Sequence, residues 1–137
     1  MPVAGTPFDF TAPKPIGAEI AAAGEYDHHF VLEQSAGTGA GARGHADEDL
    51  RSAVMLRDPS TGRTMEVLTT SPGVQFYSGN KLPVTNDRFG RPFAKHDALC
   101  LETQYHPDAV NHANFPSIIL QPAETFAHKT VYRFGVE

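Results

Sequence analysis

Apolar and polar residues alternate with a period of two over short runs of this chain, and turn-forming residues separate the runs. The alternation is clearest near the C-terminal end, where Thr130, Tyr132 and Phe134 fall on one face and Lys129, Val131 and Arg133 on the other. That is the pattern of a strand with two unlike faces. Strand candidates are 29–34, 53–58, 64–69, 74–78, 98–103, 117–120 and 126–134. Between the second and third lies Asp58-Pro59-Ser60-Thr61-Gly62-Arg63. Pro59 presets φ and Gly62 supplies a positive φ, so a hairpin is expected there. Gly73 and Gly79, on either side of 74–78, read as turn glycines. Residues 16–23 can form one short helix stopped by Gly24. The Gly- and Ala-rich stretch 35–49, acidic at Asp47-Glu48-Asp49, has no apolar periodicity and is expected to be an exposed, mobile loop.

Composition agrees with an all-β reading, because 12 glycines and 11 prolines are spread between the β-rich runs of 137 residues. A hydrophobic content of 40% with 20% charged residues is that of a soluble globular chain, and the length suits one domain. The net charge of -5, with no basic run, argues against nucleic acid or an anionic membrane surface as partner and leaves a ligand that is neutral or small. Cys100 is the single cysteine; its neighbours Leu99 and Leu101 suggest a buried thiol in a reducing compartment. The first residues have neither a basic region nor an apolar core, and no apolar run reaches the roughly 20 residues that span a bilayer. The cytoplasm is the expected location.

Two strings bear chemistry. Gly73-Val74-Gln75-Phe76-Tyr77-Ser78-Gly79-Asn80 offers an amide on a strand, and Leu99-Cys100-Leu101-Glu102-Thr103-Gln104 offers a carboxylate. An amide both donates to and accepts from vicinal hydroxyls. Alternation puts Cys100 and Glu102 on one strand face, where partial desolvation of the carboxylate would suit it to base work. Asp27, in Tyr26-Asp27-His28-His29-Phe30, is a further acceptor. Taken singly, these residues also fit a solvent-facing strand glutamate, a surface glutamine and a turn aspartate. The seven histidines do not fall at metal-ligand spacings, so neither metal nor cofactor is expected. In Pro107-Asp108-Ala109-Val110-Asn111-His112, Asp108 and Asn111 are expected to lock a loop through hydrogen bonds.

The order of these strings, followed by Phe115-Pro116-Ser117, resembles the C-terminal portion of the aldose 1-epimerases, the galactose mutarotases, from about Pro7 to Phe134. The resemblance implies an all-β, antiparallel β-sandwich that is part of a galactose mutarotase-like supersandwich, with 1–137 as a single C-terminal segment. It implies interconversion of the α and β anomers of aldoses such as glucose and galactose. Glu102 would be the base that takes the anomeric proton, and Asp27 and Gln75 would bind sugar hydroxyls. The family's general acid is a histidine in an N-terminal His-Tyr-Phe-Asn-like context with no counterpart in this sequence. His28 and His29 alternate to opposite faces and neither is promoted to that role. Two expectations follow. One is an aldose 1-epimerase segment that is weakly active or inactive alone and is paired with a complementing N-terminal chain or with itself. The other is a non-catalytic carbohydrate-binding β-sandwich module.

Overall fold

The computed structural model describes residues 1–33, 50–82 and 85–137, so the loop expected over 35–49 lies outside the described residues. Among the described residues six strands are formed: β1 (Asp27–Val31), β2 (Arg51–Arg57), β3 (Arg63–Thr69), β4 (Gly73–Tyr77), β5 (Cys100–Gln104) and β6 (Thr130–Val136). They make two three-stranded sheets, ordered β1-β4-β5 and β2-β3-β6. Among the described residues helix is confined to short pieces, a 3-10 turn over Ile16–Glu19 that runs into α1 (Ile20–Ala23) and another 3-10 turn over Ala109–Asn111. Gly24 ends α1, as the sequence suggests. No helix among the described residues is long and apolar enough to cross a membrane. The chain divides into two compact units, 1–28 with 76–101 and 29–75 with 102–137.

Aromatic packing organises the first unit. Tyr26 is fully buried and stacks on Phe76 at 5.3 Å, while Phe10 meets Tyr26 and Phe76 edge-on at 5.3 and 5.8 Å. The polar edge of this cluster is closed by hydrogen bonds. The Tyr26 carbonyl accepts from the Ser78 N–H at 2.9 Å and from Asn80 Nδ2 at 2.9 Å, and Ser78 Oγ donates to Asn80 Oδ1 at 2.7 Å. The phenol of Tyr26 donates to the Pro7 carbonyl at 3.0 Å. Ser78 and Asn80 are buried, so each bond removed leaves a polar atom without water.

The second unit contains the β2-β3-β6 sheet, antiparallel throughout. Leu56, Met65 and Phe134 are cross-strand partners, as are Val54, Val67 and Tyr132. The alternation read from the sequence of β6 is therefore realised, with Glu66 paired to Arg133 at 2.6 Å in the intervening register position. The apolar face is unevenly covered: Val67 is fully buried, whereas Phe134 is 75% exposed. A register shift between Ser52 and Val54 marks a bulge in β2. The β2–β3 hairpin closes as expected. The Asp58 N–H donates to the Arg63 carbonyl and the Gly62 N–H to the Asp58 carbonyl, both at 2.8 Å, and Gly62 takes φ +71°.

Two strand expectations fail. Residues 117–120 form no strand, and β6 begins at Thr130 rather than at 126. Ile118, Ile119 and Leu120 are each about half exposed, and the Ile119 N–H is taken locally by Ser117 Oγ at 3.2 Å. An apolar run without a ladder partner gains too little burial to stay extended as a strand. The β6 ladder starts where Thr130 finds Thr69 opposite it.

Two outcomes are expected. Asn80→Ala should destabilise the first unit by about 1–3 kcal/mol, because the Ser78 hydroxyl and Tyr26 carbonyl each lose a buried partner; denaturant unfolding followed by tyrosine fluorescence measures this, and an unchanged midpoint contradicts it. Hydrogen bonds from the Ser60 and Thr61 hydroxyls and the Ser60 N–H hold the Asp58 carboxyl at about 2, below its ordinary 3.8. Its contribution to the hairpin is thus complete above 3.8 and is lost as pH falls toward about 2. A carboxyl NMR titration of Asp58 should show that low midpoint; a midpoint at the ordinary value contradicts the hydrogen-bonded turn.

Candidate sugar-binding site

Gln75 and Glu102 belong to the second unit and stand on adjacent strands, β4 and β5. β4 is the most buried strand of its sheet, with Gly73, Val74 and Phe76 buried and Gln75 half-buried. On β5 the burial pattern alternates so that Cys100 and Glu102 are exposed and Leu101 and Thr103 are half-buried. The shared face read from the sequence is therefore present. Two details differ from expectation. Cys100 is exposed, because the neighbours that suggested burial, Leu99 and Leu101, occupy the opposite side of the alternation. Glu102 is exposed as well, so the described residues do not supply the desolvation expected at its carboxylate.

Asp27 opens β1, is exposed and belongs to the first unit. Its position is fixed from the preceding residue, since Tyr26 is the buried centre of the aromatic cluster and its carbonyl is doubly hydrogen-bonded. The two histidines that follow have separate partners. His28 packs on Phe8 at 4.5 Å between ring centroids, and His29 Nε2 lies 2.8 Å from His106 Nδ1.

Behind Glu102 the next residue joins a hydroxyl network. Thr103 Oγ1 lies 2.7 Å from Thr130 Oγ1, and His128 bridges Ser71 Oγ at 2.9 Å through Nδ1 and Thr130 Oγ1 at 3.1 Å through Nε2. Ser71 is buried, and these bonds tie β5 to the start of β6 beside the base candidate. Sequence reading missed this network, because its members lie far apart along the chain and none carries a local motif. Gly73 was also read differently: it has no positive φ, and the place its Cβ would take is occupied by the His29 ring and the Phe30 carbonyl. Downstream, the loop lock is found as expected, with the Asn111 N–H donating to the Asp108 carbonyl at 3.0 Å and Asn111 Nδ2 to Asp108 Oδ1 at 2.5 Å. Among the described residues no group of three or more His, Cys, Asp or Glu could hold a metal ion.

In the second unit an amide and a carboxylate thus stand on adjacent strands; both can bond hydroxyl groups, the amide as donor and acceptor and the carboxylate as acceptor. The aldose 1-epimerase family model matches residues 1–133. Galactose mutarotase from Rattus norvegicus is 40% identical over 138 residues and the Homo sapiens protein 39%; in both cases the match covers 98% of this chain and 37% of the relative. Aldose 1-epimerase from Escherichia coli is 37% identical over 146 residues, covering 98% of this chain and 38% of that protein. The chain thus spans a little over a third of the length of these relatives. The crystal structure of an aldose epimerase homologue from C. elegans superposes with a TM-score of 0.78 at 21% identity, over 98% of this chain and 38% of the other. The fold is the all-β fold of that homologue, and the chain belongs to the aldose 1-epimerase family.

Proposed function

We propose that this chain carries the base and sugar-binding part of a mutarotase site, for aldoses such as galactose and glucose. The observation that carries the reading is the placement of Gln75 and Glu102 on adjacent strands of one unit, within a segment matched almost end to end by galactose mutarotases. In the proposed reaction the Glu102 carboxylate accepts the proton of the anomeric hydroxyl as the bond from C1 to the ring oxygen breaks. An acid delivers a proton to that oxygen, the open aldehyde turns about its bond to C2, and reclosure in the reverse sense gives the other anomer and returns both protons. Gln75 holds neighbouring hydroxyls while the anomeric end turns, and Asp27 is assigned a hydroxyl-accepting role from the family resemblance.

The acid is the incomplete part of this assignment. His28 and His29 are engaged with Phe8 and His106, and no string in the sequence matches the family's histidine context. Lacking a general acid typically costs about 10²–10⁴-fold in rate. We therefore assign the acid to a complementing N-terminal part, and the exposed apolar residues Tyr132, Phe134 and Val136 are consistent with a covered face in such an assembly or in self-association. The cytoplasm suits the exposed free thiol of Cys100. The openness of Glu102 favours a second reading, a non-catalytic carbohydrate-binding module.

Polarimetry of freshly dissolved α-D-galactose and α-D-glucose tests this, with the chain alone and with the N-terminal part of a relative added. Mutarotation above the spontaneous rate is expected in the mixture. Glu102→Gln should lower that rate by about 10²–10⁴-fold with sugar affinity retained, since shape and hydrogen bonding survive but the proton acceptor does not. Asp27→Ala and Gln75→Ala should each weaken sugar binding by roughly 0.5–3 kcal/mol. A Glu102→Gln protein that works at the parent rate removes Glu102 from the base role; sugar binding with no catalysis in either setting selects the module.

A further inference from the structure

His29 and His106, 77 residues apart, meet inside the second unit with 2.8 Å between Nε2 and Nδ1 and their rings edge to face at 5.0 Å. His106 is 8% exposed and packs its ring on Phe115 at 4.8 Å. His29 Nδ1 is buried with no hydrogen-bond partner among the described residues. The His29 ring occupies the space beside Gly73, where any Cβ would collide with it.

These contacts dictate where hydrogens can sit. An N···N contact of this length needs one N–H and one lone pair. If His29 Nε2 donates, its buried Nδ1 is a bare lone pair; the opposite tautomer leaves a buried N–H without an acceptor, the rarer and costlier arrangement. His29 is therefore the donor and His106 the acceptor. A proton added at His106 Nδ1 sets two N–H groups against each other, and one added at His29 Nδ1 has nothing to donate to. Two neutral rings are the state that fits.

His106 also begins the segment that follows β5. Its carbonyl accepts the Ala109 N–H at 3.2 Å, and the His112 carbonyl accepts the Phe115 N–H at 3.0 Å, so 106–115 folds upon itself and meets the sheet through the His106 ring. The surrounding charges are few. β1 carries Asp27 and His28 ahead of His29, β4 presents uncharged Gly73, β5 carries the exposed Glu102, and the segment itself has Asp108 and His112 paired at 3.4 Å. Burial holds both rings below the ordinary 6.5, and for His29 the charge His106 would carry adds to it.

We propose that the His29–His106 pair is a pH-sensitive latch that keeps 106–115 docked beside Gly73 at neutral pH and releases it on acidification. The released segment takes up protons that the docked one refuses. Docking is thus complete above the ordinary histidine value and weakens as pH falls below it, by up to about a hundredfold per pH unit when both rings charge. This holds whether or not the chain acts on sugars.

Imidazole nitrogen NMR of the full chain between about pH 8 and pH 5, with amide exchange of 106–115 corrected for its intrinsic pH dependence, tests the latch. Both rings should stay neutral below the ordinary histidine midpoint, and exchange should rise by more than about tenfold per pH unit on acidification. His29→Asn, which keeps a hydrogen-bonding side chain but cannot titrate, should reduce that slope to about tenfold or less. Rings that titrate independently at the ordinary value, flat exchange in the parent, or an equally steep slope in His29→Asn would each overturn the proposal; if His29→Asn does not fold, the ring titration of the parent decides.

Discussion

The space beside Gly73 is the constraint on which the second unit is built. A side chain at this position would meet the His29 imidazole and the Phe30 carbonyl. Glycine permits the approach, the approach aims His29 Nε2 at His106, and His106 fixes the chain four residues beyond Glu102. One missing Cβ therefore links the start of β4, two residues from Gln75, with the exit of β5. Val74, the next residue of β4, is buried, and the Thr103, Thr130, Ser71 and His128 hydroxyl and imidazole groups tie β5 to the start of β6.

In the first unit the same economy operates with different chemistry. Tyr26 supplies a large buried ring and a carbonyl that takes two hydrogen bonds, so the residue after it starts a strand at a determined place. That residue is Asp27. For the hydroxyl-accepting role proposed for Asp27 such rigid neighbours matter, because a hydroxyl is told from its epimer by the position of its hydrogen-bond partners, and a loosely held carboxylate accepts from either.

Much of this was legible in the sequence, for physical reasons. The β2–β3 hairpin follows from Pro59 and Gly62 between two alternating runs, and the faces of β6 follow from alternation alone, since period two fixes which side chains share a face. The order of the strings made the family legible, and the candidate site residues were named from that resemblance. What failed was whatever depends on a distant partner. Ile118, Ile119 and Leu120 look like a strand but have no ladder to join, and Cys100 looks buried beside two leucines that point the other way. Gly73 resembles a turn glycine until the His29 ring is seen beside it. The pairing of His29 with His106 has no local signature at all.

The central claim is that Gln75 and Glu102 face one ligand from adjacent strands. Amide chemical-shift mapping of the isotope-labelled chain with D-galactose addresses it most directly. The account predicts that saturable shifts concentrate on β4 and β5 around Gln75 and Glu102, with a further set at Asp27. Saturable shifts that gather elsewhere, for instance around Ile118 to Phe126, or an absence of shifts at both Gln75 and Glu102, would contradict it.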